Sequence, residues 1–465
     1  MSVSLSLSLA LLIPWATGAV LVALDGRRRW VAWSAVAALA ATLAVLAVLT
    51  VQVVTDGGRQ LTTGGWPAGV GIVLNADALG ATFALISVLV LLVAACNEAI
   101  VGVRNRTFPG LVVLLAAGLT GLFFTGDVFN FYVFFEISMM ASYALATYGG
   151  GARQLRAALI FASVNLLGSF LFLIAVAGTY RITGALAMAD VAERIHGVGA
   201  NATLLVAVGY FVAFSVKLGL FPFHFWLPTV YAGTRPAVAA ILSGAVANIG
   251  GYGLLRFGAG IFGQELRFAA TALVVLGVAS ILYGGVVSVS RGDIGETLAY
   301  SAIGQVGYVL VALGVGGPIG LAAAVLYSVV NALNKGLLFL ADGLRGPMVA
   351  AAFAIGAFSV AGVPPALGFV GKLELFRTAI AADSAALVVL LLIGSVLSLV
   401  YMFPSYQRRF WRTDLTPAEP VAVSPVSART LVAAFALLVV VTGLWPEPLL
   451  ILSNTAAEVL TGRST

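Results

Sequence analysis

Amines that carry protons must be held away from water, and this chain keeps its lysines in such places. Lys217, Lys335 and Lys372 each lie within a long apolar stretch, while every other basic residue except its two histidines is an arginine. A poorly hydrated amine can release its proton close to neutral pH, whereas a guanidinium stays charged at any accessible pH. Ionisable groups in hydrocarbon cost about 2.5–3.5 kcal/mol on insertion scales and characteristically mark ion pathways. A composition bias would explain the excess of arginine, but not the burial of the lysines. The three are therefore candidate proton carriers.

One carboxylate belongs beside them. Glu136 stands in Phe131-Tyr-Val-Phe-Phe-Glu-Ile-Ser-Met-Met140, about nine residues beyond Asp127 at the helix start, hence roughly 13 Å deep at ~1.5 Å per residue. Unpaired, it would be very unfavourable there, so it is expected to be protonated or paired with a cation from another helix, for which Lys217 is the natural candidate. At ~4 Å and an effective dielectric near ~20, such a pair is worth about 4 kcal/mol, enough to gate proton release when it opens. His224 follows Lys217 in Phe221-Pro-Phe-His-Phe-Trp-Leu-Pro228, where two prolines should break the helix; it either relays protons or donates a hydrogen bond. A second break precedes Lys372, in Gly362-Val-Pro-Pro-Ala-Leu-Gly-Phe-Val-Gly-Lys372. Broken backbone at membrane depth is tolerated only inside protein or beside water. Asn331 and Lys335, four residues apart, share a helix face and should point at one cavity. Asp77 is expected to cap its helix, and Glu374 with Arg377 to mark the approach of a helix to the outer surface.

The elements that must position these groups are membrane helices. Of 465 residues, 61% are hydrophobic and 9% charged, far more apolar surface than a soluble chain of this length buries. Runs long enough to cross a bilayer fall at roughly 5–24, 31–54, 72–96, 109–125, 127–149, 155–180, 202–227, 236–257, 267–290, 297–315, 319–341, 349–380, 385–407 and 429–451, about 14 helices. The expected fold is an all-α polytopic membrane protein forming one integral membrane domain over 1–465. The stretch Met1 to Trp15 has no basic flank and is expected to open the first spanning helix, not a removable signal. Odd-numbered connections hold Arg27, Arg28, Arg29, Arg104, Arg106, Arg153, Arg156, Arg235, Arg291, Arg345, Arg408, Arg409, Arg412 and Arg429. Even ones and the tail hold Arg59, Arg181, Arg194, Arg256, Arg267, Arg377 and Arg463, so the odd side is expected to be cytoplasmic and both termini outside. The net charge of +6 then reflects topology, not nucleic-acid binding. A lone cysteine, Cys96, excludes internal disulfides and iron–sulfur ligation and is expected to pack in the core. Gly371-Lys372 lacks the spacing and the preceding strand of a phosphate loop, so neither nucleotide nor any other cofactor is expected. Two interrupted helices, each with a lysine and about five helices apart, suggest an internal repeat; an odd number of helices per unit makes successive repeats inverted.

Several segments together resemble a known family. Gly126-Asp-Val-Phe-Asn-Phe-Tyr-Val-Phe-Phe-Glu136, Lys217 with Phe221-Pro-Phe-His-Phe-Trp-Leu-Pro228, Gly250-Gly-Tyr-Gly-Leu-Leu-Arg256, Leu298-Ala-Tyr-Ser-Ala-Ile-Gly-Gln-Val-Gly-Tyr308 and Lys335-Gly-Leu-Leu-Phe-Leu340 are similar to the proton-translocating antiporter-like subunits. These include the MrpD-type component of the Mrp multisubunit sodium/proton antiporters and the antiporter-like membrane subunits of respiratory complex I. The resemblance covers roughly residues 70–410, and Phe-Asn-Phe-Tyr-Val-Phe-Phe-Glu136 looks most like the MrpD type. It implies about 14 transmembrane helices with two inverted five-helix repeats containing broken helices, approximately 109–257 and 267–407. It also implies a midplane axis on which Glu136, Lys217, Lys335 and Lys372 match the family's ionisable positions. Asn248 and Asn331 stand where relatives carry titratable groups, and asparagine cannot titrate. The implied function is proton translocation within a hetero-oligomeric cation/proton antiporter of the cell membrane, with other membrane subunits and protons as partners and Na⁺ as a candidate one. The alternatives are a membrane-arm subunit of a complex I-like or hydrogenase-linked oxidoreductase, or a non-conducting scaffold.

Overall fold

Hydrocarbon offers no hydrogen bonds to a backbone, so an apolar chain of this kind satisfies its peptide groups within helices. The computed structural model describes residues 2–62, 64, 71–411 and 424–462; Arg412 and Arg463 lie outside them. The first helices are α1 (Val3–Ala23), α2 (Arg29–Asp56), α3 (Ala78–Val101), α4 (Phe108–Phe124), α5 (Val128–Ala146), α6 (Ala152–Thr183) and the short α7 (Met188–Arg194). Next come α8 (Ala200–Leu218), α9 (Leu227–Gly233), α10 (Pro236–Ile241), α11 (Asn248–Gly253), α12 (Gly263–Phe268) and α13 (Ala270–Val289). The last are α14 (Ile294–Val315), α15 (Gly317–Asp342), α16 (Pro347–Ala361), α17 (Leu367–Ala381), α18 (Ala385–Tyr406), α19 (Val426–Leu444) and α20 (Glu447–Thr461).

Twelve described helical segments are long and apolar enough to cross a membrane, one of them Pro236–Ala259, which runs through α10, α11 and two π-helical stretches. Phe108–Phe124 and Pro347–Ala361 are shorter apolar helices. Two further features depart from the expected runs. A strand pair, Arg59–Thr62 with Val73–Ala76, forms an antiparallel hairpin that is followed by the Asp77 cap. The stretch expected to span 429–451 ends at Leu444, and after Pro446 the chain starts α20 as a separate helix lying against α3 and α15.

Both expected interruptions are present. Helix α8 stops at Leu218 and the chain resumes helix only at Leu227; α16 stops at Ala361 and α17 starts at Leu367. Each gap holds one cis X–Pro peptide, Phe221–Pro222 and Pro364–Pro365. Burial grades inward: the apolar window of α15 is wholly buried, and that of α14 nearly so, whereas α1, α6, α13, α18 and α19 turn much of theirs outward. Helices α13 and α14 cross closely because glycines meet there. A Cβ on Gly307 would stand 2.4 Å from the Gly277 carbonyl oxygen.

Candidate functional site

The three lysines are almost sealed from solvent, with Lys217 3%, Lys335 0% and Lys372 4% exposed.

Lys217 is the penultimate residue of α8, so it sits at a helix C-terminus inside the bundle. Gly219, with φ +64°, ends the helix in the left-handed conformation, and a Cβ there would come within 2.4 Å of Leu227. The freed carbonyls are capped from the break: Gly219 N–H donates to Val216 O, Leu220 N–H to Ser215 O, and Trp226 Nε1 to Val216 O at 2.9 Å. The C-terminal end of a helix carries partial negative charge that favours a cation. The amine lies over the Phe135 and Phe161 rings, 6.0 and 5.1 Å from their centroids, and donates to Met139 Sδ. Glu136, one turn before Met139, accepts a hydrogen bond from Ser169 of α6. Among the described residues no ion pair joins Glu136 to Lys217, although Lys217 bonds Met139, one turn along the same helix from Glu136. The expected direct pair is therefore absent in this conformation, because Met139 and Ser169 occupy the two groups.

Lys372 repeats this arrangement from the other direction. Gly362, with φ +83°, caps α16, and Lys372 Nζ donates to the carbonyl of Ala361, the last residue of that helix, at 3.1 Å. The amine also faces the Tyr308 ring, 5.2 Å from its centroid. Two half-helices thus end in the interior: one presents its last carbonyl to Lys372, and the other carries Lys217 in its last turn.

Lys335 stands in the middle of an unbroken helix, α15. Its amine donates to Leu298 O at 3.2 Å and Ser301 Oγ at 2.7 Å, both on α14. From Ser301 a connected set of buried polar groups runs toward Lys372. Ser301 Oγ and Tyr401 Oη lie 2.9 Å apart, Gln305 Nε2 donates to Tyr401 Oη at 3.3 Å and to Ser398 Oγ at 3.4 Å, and Tyr327 Oη donates to Gln305 Oε1. The Tyr327 ring packs 5.2 Å from that of Tyr308, which faces Lys372. Sequence reasoning missed Ser301, Gln305, Tyr327 and Tyr401 as site residues. The signal was available: Ser301, Gln305 and Tyr308 recur at helical spacing on one face of α14.

The other expected positions are more scattered. Asn248 Nδ2 donates to Ser87 Oγ and Gly244 O, both at 3.0 Å, tying its helix to α3. Asn331 Oδ1, Asn334 Oδ1, Ser215 Oγ and His224 Nδ1 are buried with no partner within the protein. His224 stacks on Phe221 and Tyr283, with centroids 5.5 and 4.5 Å away, and shares no hydrogen bond with Lys217. Asp77 caps α3 as expected, accepting from Gly80 N–H at 2.8 Å. It also binds Arg256 at 2.7 Å, while Arg256 Nε donates to Tyr252 and Tyr252 to Phe123 O. Glu374 pairs with the exposed Arg377 at 2.8 Å. Cys96 is partly buried and unbridged. Among the described residues no cluster of three or more metal-ligating side chains occurs.

The transmembrane family described as NADH:quinone oxidoreductase/Mrp antiporter matches residues 125–345 and 343–398. A D-type Na⁺/H⁺ antiporter subunit from Alkalihalophilus pseudofirmus is 32% identical over 417 residues, covering 83% of this chain and 85% of the relative. Among solved structures, a chain of the Mrp complex from Dietzia sp. is 28% identical with a TM-score of 0.91, covering 98% of both chains. A chain of respiratory complex I from Thermus thermophilus is 25% identical with a TM-score of 0.84, covering 98% of this chain and 99% of that one.

Proposed function

Because the chain belongs to the NADH:quinone oxidoreductase/Mrp antiporter transmembrane family, we propose that its buried amines move protons as one subunit of a multisubunit cation/proton antiporter. It is a multi-pass protein of the cell membrane and a transporter, not an enzyme. The observation that carries the proton-path reading is the seating of the Lys372 amine on an interior half-helix end, with Lys217 in the last turn of the other interrupted helix. Such ends bind cations in transporters, and here the cation is built into the chain as an ammonium.

The path runs in two parts. Glu136 and Lys217 form a loosely coupled pair: when Glu136 is ionised and near, Lys217 holds its proton, and when Glu136 is neutralised or drawn away, the proton leaves. The second part is Lys335, the hydroxyls of Ser301 and Tyr401, the Gln305 amide, Tyr327 and Lys372. Water held by the unpartnered polar atoms of Ser215, Asn331 and Asn334, and by His224, would connect the two parts. Asn248 and Asn331 hold water or helices in place and exchange no proton. The halves 109–257 and 267–407, each with one interrupted helix, act as inverted repeats.

Glu136 is half-buried and one turn from the exposed Met140. A carboxylate on an outer flank at membrane depth calls for a covering neighbour, consistent with a hetero-oligomer. The fold is shared with complex I, so a redox-driven membrane arm is the second reading. Co-purification of small antiporter subunits rather than iron–sulfur subunits decides between them.

Lys217→Arg tests the path. Arginine keeps the charge and cannot release the proton, so antiport in everted vesicles should fall about 100-fold or more while assembly on native gels is unchanged. Antiport at the wild-type rate would remove Lys217 from the path, and with it the scheme.

A further inference from the structure

Away from the lysine line, three guanidinium groups converge at one edge of the bundle. Arg153 and Arg156 from the start of α6 and Arg291 from the α13–α14 connection line a cavity of about 320 Å³ together with Thr229, Glu296 and Tyr300. Arg153 is fixed, donating to Ala232 O at 2.6 Å. Arg291 lies over the Tyr300 ring at 5.3 Å; its Nε is buried without a partner, and its ion pair with Glu296 is long, at 3.9 Å. Arg156 makes no hydrogen bond or ion pair among the described residues. Three cations face one carboxylate, and most of their donors are unspent.

Outward-facing side chains close to these arginines in the chain indicate what kind of anion fits. On the same helix as Arg153 and Arg156, Leu155 and Leu159 are 54% and 60% exposed, and Val286 and Val289, just before Arg291 at the end of α13, are 59% and 45% exposed. The arginines therefore stand where a lipid-facing apolar belt ends, on the arginine-rich side assigned to the cytoplasm. We propose that this cavity binds the phosphodiester of an anionic phospholipid of the cytoplasmic leaflet, with the acyl chains lying along Leu155, Leu159 and Val286. Guanidinium forks match phosphate oxygens in pairs, and each basic group near the bilayer surface strengthens such binding several-fold. A free phosphate would use the same donors but none of the apolar wall. An acidic protein loop would meet the same charge but gain nothing from side chains that continue into the bilayer.

The test uses the assembled complex, purified, stripped of lipid and returned to phosphatidylglycerol or phosphatidylcholine, with bound lipids counted by native mass spectrometry. Wild type should hold one more phosphatidylglycerol than R153Q/R156Q/R291Q, whose apparent affinity drops on the order of 100-fold. Phosphatidylcholine should bind both equally, and millimolar inorganic phosphate should leave the adduct in place. Since Arg156 supports no contact, Arg156→Gln keeps the fold if the triple variant does not assemble; it should weaken phosphatidylglycerol about 5-fold. Equal phosphatidylglycerol binding by wild type and Arg156→Gln, equal binding of the two lipids by wild type, or displacement by phosphate would each overturn the assignment.

Discussion

Substituting Gly362 by alanine separates the seating of Lys372 from ordinary helix-end strain. Gly362 has φ +83°, which disfavours any L-residue by about 1–2 kcal/mol. The added methyl would also lie 2.6 Å from Lys372 Cδ and 3.4 Å from its Cγ. The lysine stem must swing away, breaking the 3.1 Å bond from Nζ to Ala361 O, and a hydrogen bond involving a charged group contributes about 1.5–3 kcal/mol. If that bond holds the amine where it exchanges protons, the second share appears in the rate, as roughly 10- to 150-fold slower antiport. Gly462→Ala is the control: φ is +66°, yet among the described residues nothing lies within 4 Å of the new methyl, so it carries the backbone strain and moves no lysine. Dye-monitored antiport in everted vesicles, normalised to assembled complex, should therefore be slow for Gly362→Ala and near normal for Gly462→Ala. Equal rates for the two variants would mean that the half-helix end does not position Lys372.

Other substitutions probe the remaining contacts. Ser301→Ala leaves Lys335 with the Leu298 carbonyl alone and should slow antiport about 10-fold or more, while Ser301→Thr, which restores a hydroxyl, should recover most of it. Tyr401→Phe keeps the ring but cuts Ser301 from Gln305, and a comparable loss with unchanged thermal stability is expected in the same vesicles. Arg256→Ala strands Asp77, whose side chain is only 11% exposed, and should destabilise the complex by about 3–5 kcal/mol in detergent thermal-shift measurements, with little effect on the rate per assembled complex. Gly368→Ala would place a methyl 1.7 Å from Ser359 O, a clash with backbone that should cost about 3 kcal/mol or more and abolish assembly on native gels.

What could be read from the residues was whatever depends on local pattern. Apolar runs located the spans but not all of their ends, since 202–227 stops at Leu218 and 72–96 starts only at Ala78; Pro222 and Pro365 announced the two breaks because proline removes a helix donor wherever it falls. Burial of the lysines followed from the same runs. Partners were harder, since they depend on which helices touch. Nothing near Glu136 indicates that Ser169 binds it, and nothing near Lys217 selects Met139 over the carboxylate one turn earlier. Asp77 and Arg256, 179 residues apart, leave no shared pattern at all. Asp77 was legible as a cap because capping is local; its ion pair was not. The end of α19 at Leu444 was missed because the apolar run continues past Pro446 into Leu449-Leu450-Ile451, where α20 has already started.

The two interior helix ends also bear on how steadily such a chain can work. Their negative character comes from aligned peptide units, which acidity cannot neutralise and which salt cannot reach at that depth. A side-chain carboxylate in the same place would fade as the medium acidified, just when incoming protons are most abundant. Lys372 thus rests against an electrostatic background set by backbone geometry, and Lys217 shares the last turn of its own helix with one, leaving the variable part of the control to movable groups such as Glu136.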